Sequence, residues 1–413
     1  MKNILIISFD LIREGESDKS LSAASLLAFL RNDERYGAEF FVHHLPINVL
    51  KFGDRLSEIG SFLSVFNFEE FDAIAISCHV WSEHLTNPLI AKLREAGFRK
   101  KIILGGPQIS CPNHLVENYP DCQIFIIGYA EQSLLNAILC SEMADFPLFL
   151  KNGFDFKSVP SVYTTREIEV ADNQKMVRLE TKRGCPYRCS FCAHRDLESN
   201  RVFNCTGDKV FEELSIFKAK SVRKINVIDP VFNMGQNYLD ILREMRRINL
   251  SSEISLQTRF ENIRGRDGEA FLNLCGALNV HLEFGVQTVV EDEYKAVNRL
   301  NNVRKIKSLM RRLNDRDISY EISLIYGLPN QTFDSFRRSV DFVRRNGCDN
   351  VVAFPLMLLK GTELYAERRK WNFKERRLGK FGIPVVVGSN SFGEDEWYRM
   401  KDLAERLNPS ARI

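Results

Sequence analysis

Short apolar runs alternate with amphipathic stretches almost from end to end of this chain, and that alternation limits it to parallel strands joined by crossover helices. In the first 150 residues the strands read as 3–9 ("NILIISF"), 38–44, 71–77, 100–106 and 122–128. Helical patterns fall near 20–31, 53–66, 84–96, 112–118 and 131–141. Five such units predict an open, doubly wound Rossmann or flavodoxin-like sheet, whose ligands lie beyond the carboxyl ends of the strands. The stretch from about 142 to 175 loses periodicity and reads as a linker, with the first domain taken as 1–150 and the linker as 151–175. Alternation then resumes over 176–365. Strands are predicted at 177–182, 223–228, 252–258, 279–286, 318–326 and 350–354, and helices at 207–219, 237–247, 267–276, 290–297 with 303–314, and 332–346. Six β/α units fall short of the eight of a closed barrel, so the second domain is expected to be a partial (β/α)6 TIM-type barrel. Residues 366–413 hold a basic segment and a final amphipathic helix, Asp395–Leu407.

Composition narrows the function classes. The net charge is +3 in 413 residues, too little to argue for nucleic acid or membrane binding, and basic runs such as Lys374–Arg377 read as solvated faces. No stretch reaches the ~20 apolar residues of a spanning helix. The start, "MKNILIISFD", is too short for a secretory h-region. The expected location is the cytoplasm, where thiols stay reduced and ten cysteines do not make a disulfide framework.

Three of those cysteines crowd into Thr181–His194, "TKRGCPYRCSFCAH". Cys185, Cys189 and Cys192 have the spacing C-x3-C-x2-C, directly after the first strand of the second domain. Gly184, Pro186 and Arg188 mark a loop, where clustered thiols hold metal more often than they pack. A structural zinc would need a fourth ligand, with His194 or Cys205 nearest. A four-iron cube is normally held by four Cys, and three would leave one iron open to bind something.

"CPYRCSFC" resembles the cluster motif of the radical S-adenosylmethionine (SAM) enzymes. The first domain resembles the cobalamin-binding domain that precedes many of them, through "IILGGPQIS" (102–110) and "IIGYAEQSL" (126–134, with Tyr129 and Ala130 in place of the usual Glu and Gly). "LEFGVQT" (282–288), "YGLPNQT" (326–332) and "FPLMLLKGTELY" (354–365) resemble the family's signatures on and after strands four, five and six. The resemblance implies a [4Fe-4S] cluster on the three cysteines, SAM chelated at the open iron, and reductive cleavage to a 5′-deoxyadenosyl radical. It also implies a reductase, flavodoxin or ferredoxin as electron donor and a small-molecule or biosynthetic substrate. By position it puts Phe191 near the adenine, Asp229 at the methionine amino group and Gln287 at the ribose or carboxylate. Gln257 and Arg259 would lie at SAM or substrate, and the Tyr326-Gly327 backbone beside the adenine. Asp229 reads equally well as a turn or capping residue, and Gln287 as a buried amide.

Cobalamin stays an open question at this point. The usual D-x-H-x-x-G after the first strand appears here as "DLIREG" (10–15), with Ile12 where His would ligate cobalt. The cofactor either binds without a protein ligand, near Gly105, Gly106 and His79, or is absent, leaving a vestigial domain. With it the enzyme would be a methyltransferase. Without it the radical would drive dehydration, epimerisation, oxidation or C–C bond formation. A non-catalytic iron–sulfur or zinc regulator is a third reading. Cys205, Cys275 and Cys348 each stand alone and read as buried thiols.

Overall fold

The computed structural model describes the chain except for residues 53–59, 61, 62, 64–66, 111, 141–146, 152, 194–199, 236 and 408–413. Most of the helical pattern at 53–66 and the candidate ligand His194 therefore lie outside the described residues. The chain divides into two units, Met1–Glu169 with Gly379–Ile383, and Val170–Leu378 with Pro384–Ile413.

The first unit is a parallel sheet of β1 (Lys2–Asp10), β2 (Phe40–Asn48), β3 (Ala73–Ser77), β4 (Lys101–Gly105), β5 (Ile124–Ile126) and β6 (Leu148–Leu150), in the order β2-β1-β3-β4-β5-β6. Strand β1 is buried on both faces. Leu5, Ile7 and Phe9 enter one core and Ile4 and Ile6 the other, as the two-residue period of a strand requires. The helices Leu21–Arg31, Glu83–Glu95 and Glu131–Leu139 cover the sheet. Ser20 caps the first of them by accepting from the Ala23 amide.

Strand β6 falls in the stretch whose periodicity fails in the sequence. It is only three residues long, too short to show alternation. The following residues, up to Glu169, group with this unit. Glu167 holds them, accepting from Arg31 Nη1 at 2.8 and 2.9 Å, while its carbonyl accepts from Lys19 Nζ at 3.0 Å.

The second unit carries β7 (Val177–Leu179), β10 (Lys224–Val227), β11 (Glu253–Thr258), β12 (Val280–Gln287), β13 (Ser319–Tyr326) and β14 (Val351–Pro355), all parallel and adjacent in chain order. Strands β7 and β14 are its two edges, so the barrel is open. Helices Gly207–Ala219, Tyr238–Arg247, Gly265–Gly276, Val303–Asn314 and Phe333–Arg345 connect them. The first predicted strand, 177–182, is broken. Its last residues move into β8 (Lys182–Arg183), which pairs antiparallel with β9 (Phe203–Asn204). The tail forms a hairpin, β15 (Lys374–Leu378) with β16 (Ile383–Gly388), before the helix Glu394–Leu407. No helix among the described residues is long and apolar enough to cross a membrane.

Candidate active site

The break after β7 sets up the cysteine loop. At the end of β10, the Asp229 carboxylate is fully buried. It accepts from the Thr181 amide at 2.7 Å, the Thr181 hydroxyl and the Lys182 amide at 3.1 Å, with Lys182 Nζ at 4.0 Å. Lys182 Nζ also donates to the Phe232 and Met234 carbonyls, each at 2.7 Å. These bonds turn the chain out of the sheet at Thr181 and deliver it to Gly184, whose φ of +83° suits a glycine, and then to Cys185. The carboxylate that the resemblance puts at a methionine amino group is bonded in this structure to Thr181 and Lys182 at the end of the neighbouring strand.

The far side of the loop is braced from the segment after β12. Ser190 N donates to the Val297 carbonyl at 3.0 Å, Asn298 Nδ2 to the Arg188 carbonyl at 2.9 Å, and Arg299 Nη1 reaches Cys189 Sγ at 3.5 Å. Arg299 Nη2 also donates to the Gly285 carbonyl. Asn301 Nδ2 ties the same segment to the Val286 and Thr288 carbonyls, both at 2.8 Å. Leu364 N donates to the Ser190 carbonyl at 2.9 Å. Within the loop, the Cys192 amide donates to the Cys189 carbonyl at 3.1 Å, turning the chain around half-buried Phe191.

Two cations face the thiols. The Arg259 guanidinium stacks 3.6 Å from the Tyr187 ring centroid, with Nε on Glu261 at 3.1 Å. Its backbone is fixed by reciprocal bonds to the Asn233 amide, both at 2.9 Å. Burial pushes the Cys185 thiol up, while the Tyr187 amide and the Arg259 and Arg299 charges pull it back. Arg299 was not visible as a site residue in the sequence. It follows a short helix by three positions, and only the fold brings it to Cys189. Gln287 joins the same group. It sits at φ +71°, where β12 slips register, and its Nε2 lies 2.5 Å from where a Cβ on Gly285 would be. A left-handed non-glycine residue on a strand end stores strain that tends to mark functional sites.

Burial separates the two faces of the barrel sheet. Leu282, Phe284 and Val286 on β12, and Tyr320, Ile322, Leu324 and Tyr326 on β13, are buried on the helix side, where Tyr326 meets Phe336 of the helix Phe333–Arg345 at 5.8 Å. The opposite, inner face therefore carries Glu283, Gly285 and Gln287, and Glu321, Ser323 and Ile325, with exposed Gln257 beside them on β11. The Tyr326 ring thus points away from the lumen. Gly327, at φ +87°, packs on the Val386 carbonyl, 3.2 Å from a virtual Cβ, and near Trp397. Only the backbone of this pair could border a ligand.

In the first unit the strand order reverses between β1 and β3, which opens the crevice where such sheets bind ligands. Trp81 Nε1 bridges it, donating to the Phe9 carbonyl at 3.0 Å, and the His79 ring stacks on Trp81 at 4.4 Å and 5°. Burial lowers His79 to about 4, so its imidazole is neutral, and its Nδ1 is buried without a partner. Gly106 (φ +106°) needs no ligand to explain it, since a Cβ there would lie 2.6 Å from the Cys78 carbonyl. Gly105 accepts from the Cys78 amide at 2.7 Å. Gly128, past β5, has open space where a Cβ would be.

Among the described residues no three His, Cys, Asp or Glu side chains converge to hold one metal ion. An open cleft of about 910 Å³ between Asp292, Arg338, Glu363 and Trp371 touches this loop only at Ser190.

Residues 179–343 match the Radical SAM superfamily. The chain is similar to the cobalamin-dependent radical SAM methyltransferase TokK of Streptomyces tokunonensis, 22% identical over 310 residues that cover 66% of this chain and 44% of the relative. It is also similar to the 2-(S-pantetheinyl)-carbapenam-3-carboxylate methyltransferase of Streptantibioticus cattleyicolor, 22% identical over 382 residues, 79% of this chain and 55% of the relative. The chain thus spans about half the length of these curated relatives. Among solved structures, the radical SAM methyltransferase TsrM of Kitasatospora setae shares the fold, with a TM-score of 0.71 at 14% identity over 100% of this chain and 90% of that one.

Proposed function

We propose that this chain is a cobalamin-dependent radical SAM enzyme that methylates a carbon of a small biosynthetic substrate. The observation that supports it most is the three-thiol loop, fixed on one side by Asp229 and on the other by residues 297–301, with Arg259 and Arg299 facing it. Cys185, Cys189 and Cys192 would hold a [4Fe-4S] cluster, and thiolates are its usual donors. When bound, the cluster supplies a low-potential electron for cleaving the sulfonium C–S bond, and cobalamin supplies a methyl carrier.

The remaining work falls to the chain's own side chains. The Arg299 guanidinium, held beside Cys189 and Gln287, offers a fork for the carboxylate of SAM. Gln287 offers an amide to the same carboxylate or the ribose, and Phe191 a ring for the adenine. Arg259 holds positive charge at the thiolates, and Gln257 faces the substrate space. The methyltransferase relatives TokK and TsrM favour methyl transfer over the other radical outcomes, and TsrM has been solved with cobalamin and a [4Fe-4S] cluster bound.

The first unit fits a corrin that has no protein ligand below cobalt. Ile12 has no lone pair. If His79 ligated through Nε2, its proton would sit on Nδ1, buried with no acceptor, whereas ligating imidazoles almost always donate that proton. His79 and Trp81 then form a wall of the crevice. The donor of electrons is taken to be a reductase, flavodoxin or ferredoxin, and the location the cytoplasm, where the thiols stay reduced.

Anaerobic reconstitution with iron, sulfide and hydroxocobalamin, followed by desalting, tests this reading. A retained corrin absorption and 5′-deoxyadenosine from SAM under dithionite are expected. SAM cleavage without retained corrin would remove cobalamin and leave a hydrogen-abstracting enzyme. Bound zinc without cleavage would leave the regulator.

A further inference from the structure

We infer that the substrate carries a protonated amine, received inside the barrel by Glu283 and Glu321. The inference rests on the radical SAM reading above and goes beyond it by naming the chemistry of the substrate.

The inner face argues for a ligand space. A closed barrel of this kind packs its interior with branched apolar side chains. Here the inner positions of β11–β13 include Ser255, Gln257, His281, Glu283, Glu321 and Ser323, with Gly285, Gln287 and Ile325 nearer the mouth. Register places Gln257, Glu283 and Glu321 in one row across three strands. Neighbouring strands lie about 4.8 Å apart, so two carboxylates stand side by side, an arrangement that is destabilising when nothing intervenes. Glu321 lies 3.6 Å from His281 Nε2, and His281 Nδ1 is shared with Ser319 Oγ at 2.8 Å. Among the described residues no Lys or Arg reaches ion-pair distance of Glu283. Burial, and then the Glu321 charge, hold its carboxyl above the usual range, against a weaker opposing pull from His281 and Lys224.

A second observation points to a ligand. Ser255 is 2% exposed, shares the inner face, and its hydroxyl has no partner. It lies beside His281 and one row below Gln257, on the diagonal to Glu283. The next row toward the mouth, about 7 Å away at the strand rise, holds Gly285 and Ser323 on β12 and β13, with Gln287 Nε2 and Arg299 Nη2 lying over Gly285.

An ammonium answers each of these features. It neutralises the facing carboxylates, and its N–H groups suit Gln257 and the lone hydroxyl. A diol or a carboxylate would leave the repulsion in place. A metal ion is disfavoured, since no three of these groups converge on one point among the described residues.

The test uses the reconstituted full chain and 1,4-diaminobutane as the probe, with 1,4-butanediol and succinate as size-matched controls, titrated calorimetrically. Saturable binding of the diamine alone is expected, weakened at least about tenfold in Glu283→Gln/Glu321→Gln. Thermal melting guards against a folding defect. The diamine should raise the midpoint of the parent protein and not that of the double variant, whose own midpoint should match or exceed the parent's. Equal binding of the diol, no diamine binding, or undiminished binding by the double variant would overturn the inference. SAM cleavage is assayed on the same preparation. Its absence would count against the radical SAM reading, whereas cleavage without diamine binding would remove only the amine.

Discussion

Replacing Cys185, Cys189 or Cys192 by Ala, one at a time, yields a folded chain that holds no four-iron cluster and cleaves no SAM. The fold survives because the loop is held by groups other than its thiols: Ser190 to Val297, Asn298 to Arg188, and the Cys192 amide to Cys189. The cluster does not survive, because the loop then offers only two thiols. Cys205 and Cys348 are buried and pushed up to about 12, and Cys275 is pushed up further by burial alone. None of these three belongs to the loop, and none is expected to substitute for a missing corner. Iron and sulfide analysis of each variant should fall from about four per chain to background, with circular dichroism unchanged. Cys205→Ala, Cys275→Ala and Cys348→Ala should keep the cluster. A triplet variant that kept both iron and turnover would refute the ligand assignment.

The second large effect is on stability. Asp229→Ala removes the acceptor for the Thr181 amide and hydroxyl and the Lys182 amide, and leaves the Lys182 ammonium buried without its counter-charge. Breaking a buried pair from one side costs about 3–5 kcal/mol, whereas replacing both partners by apolar groups is often close to neutral. Urea denaturation should show a loss of that order for Asp229→Ala, and substantial recovery in Asp229→Ala/Lys182→Met. Cluster content should fall with stability, because the same bonds aim the chain at Cys185. If Asp229→Ala kept full stability and lost only affinity for SAM, the carboxylate would belong at the methionine amino group after all.

These two sites show what could be read in advance. The cysteine triplet is local in sequence, so its spacing marked a metal-binding loop, and the resemblance of "CPYRCSFC" to a known cluster motif named the metal expected there. The strands and helices of the barrel were legible for a similar reason. Leu282, Phe284 and Val286 alternate with Glu283, Gly285 and Gln287, and the helix 207–219 was bounded to the residue. Asp229 was visible as a strand-end carboxylate, but its partners are Thr181 and Lys182, 47 or 48 positions away, and a buried pair formed across the sheet leaves no local pattern.

Arg299 escaped for the same reason, since its neighbours Cys189 and Gly285 are brought to it by topology. Which face of β12 looks inward also needed the helices, because polar alternation reads alike whether the polar face meets solvent or a lumen. Strand β6 was missed because three residues cannot display a period. Gly106 was read as a ligand turn, and the structure supplies a nearer cause, the Cys78 backbone.

Electron paramagnetic resonance of the reduced, reconstituted protein with and without SAM tests the open corner of the cluster most directly. The spectrum should change on adding SAM, as its methionine amino and carboxylate groups take the fourth coordination position on one iron. The same sample should then release 5′-deoxyadenosine. An unchanged spectrum with intact SAM, in protein carrying a full complement of iron and sulfide, would contradict the account.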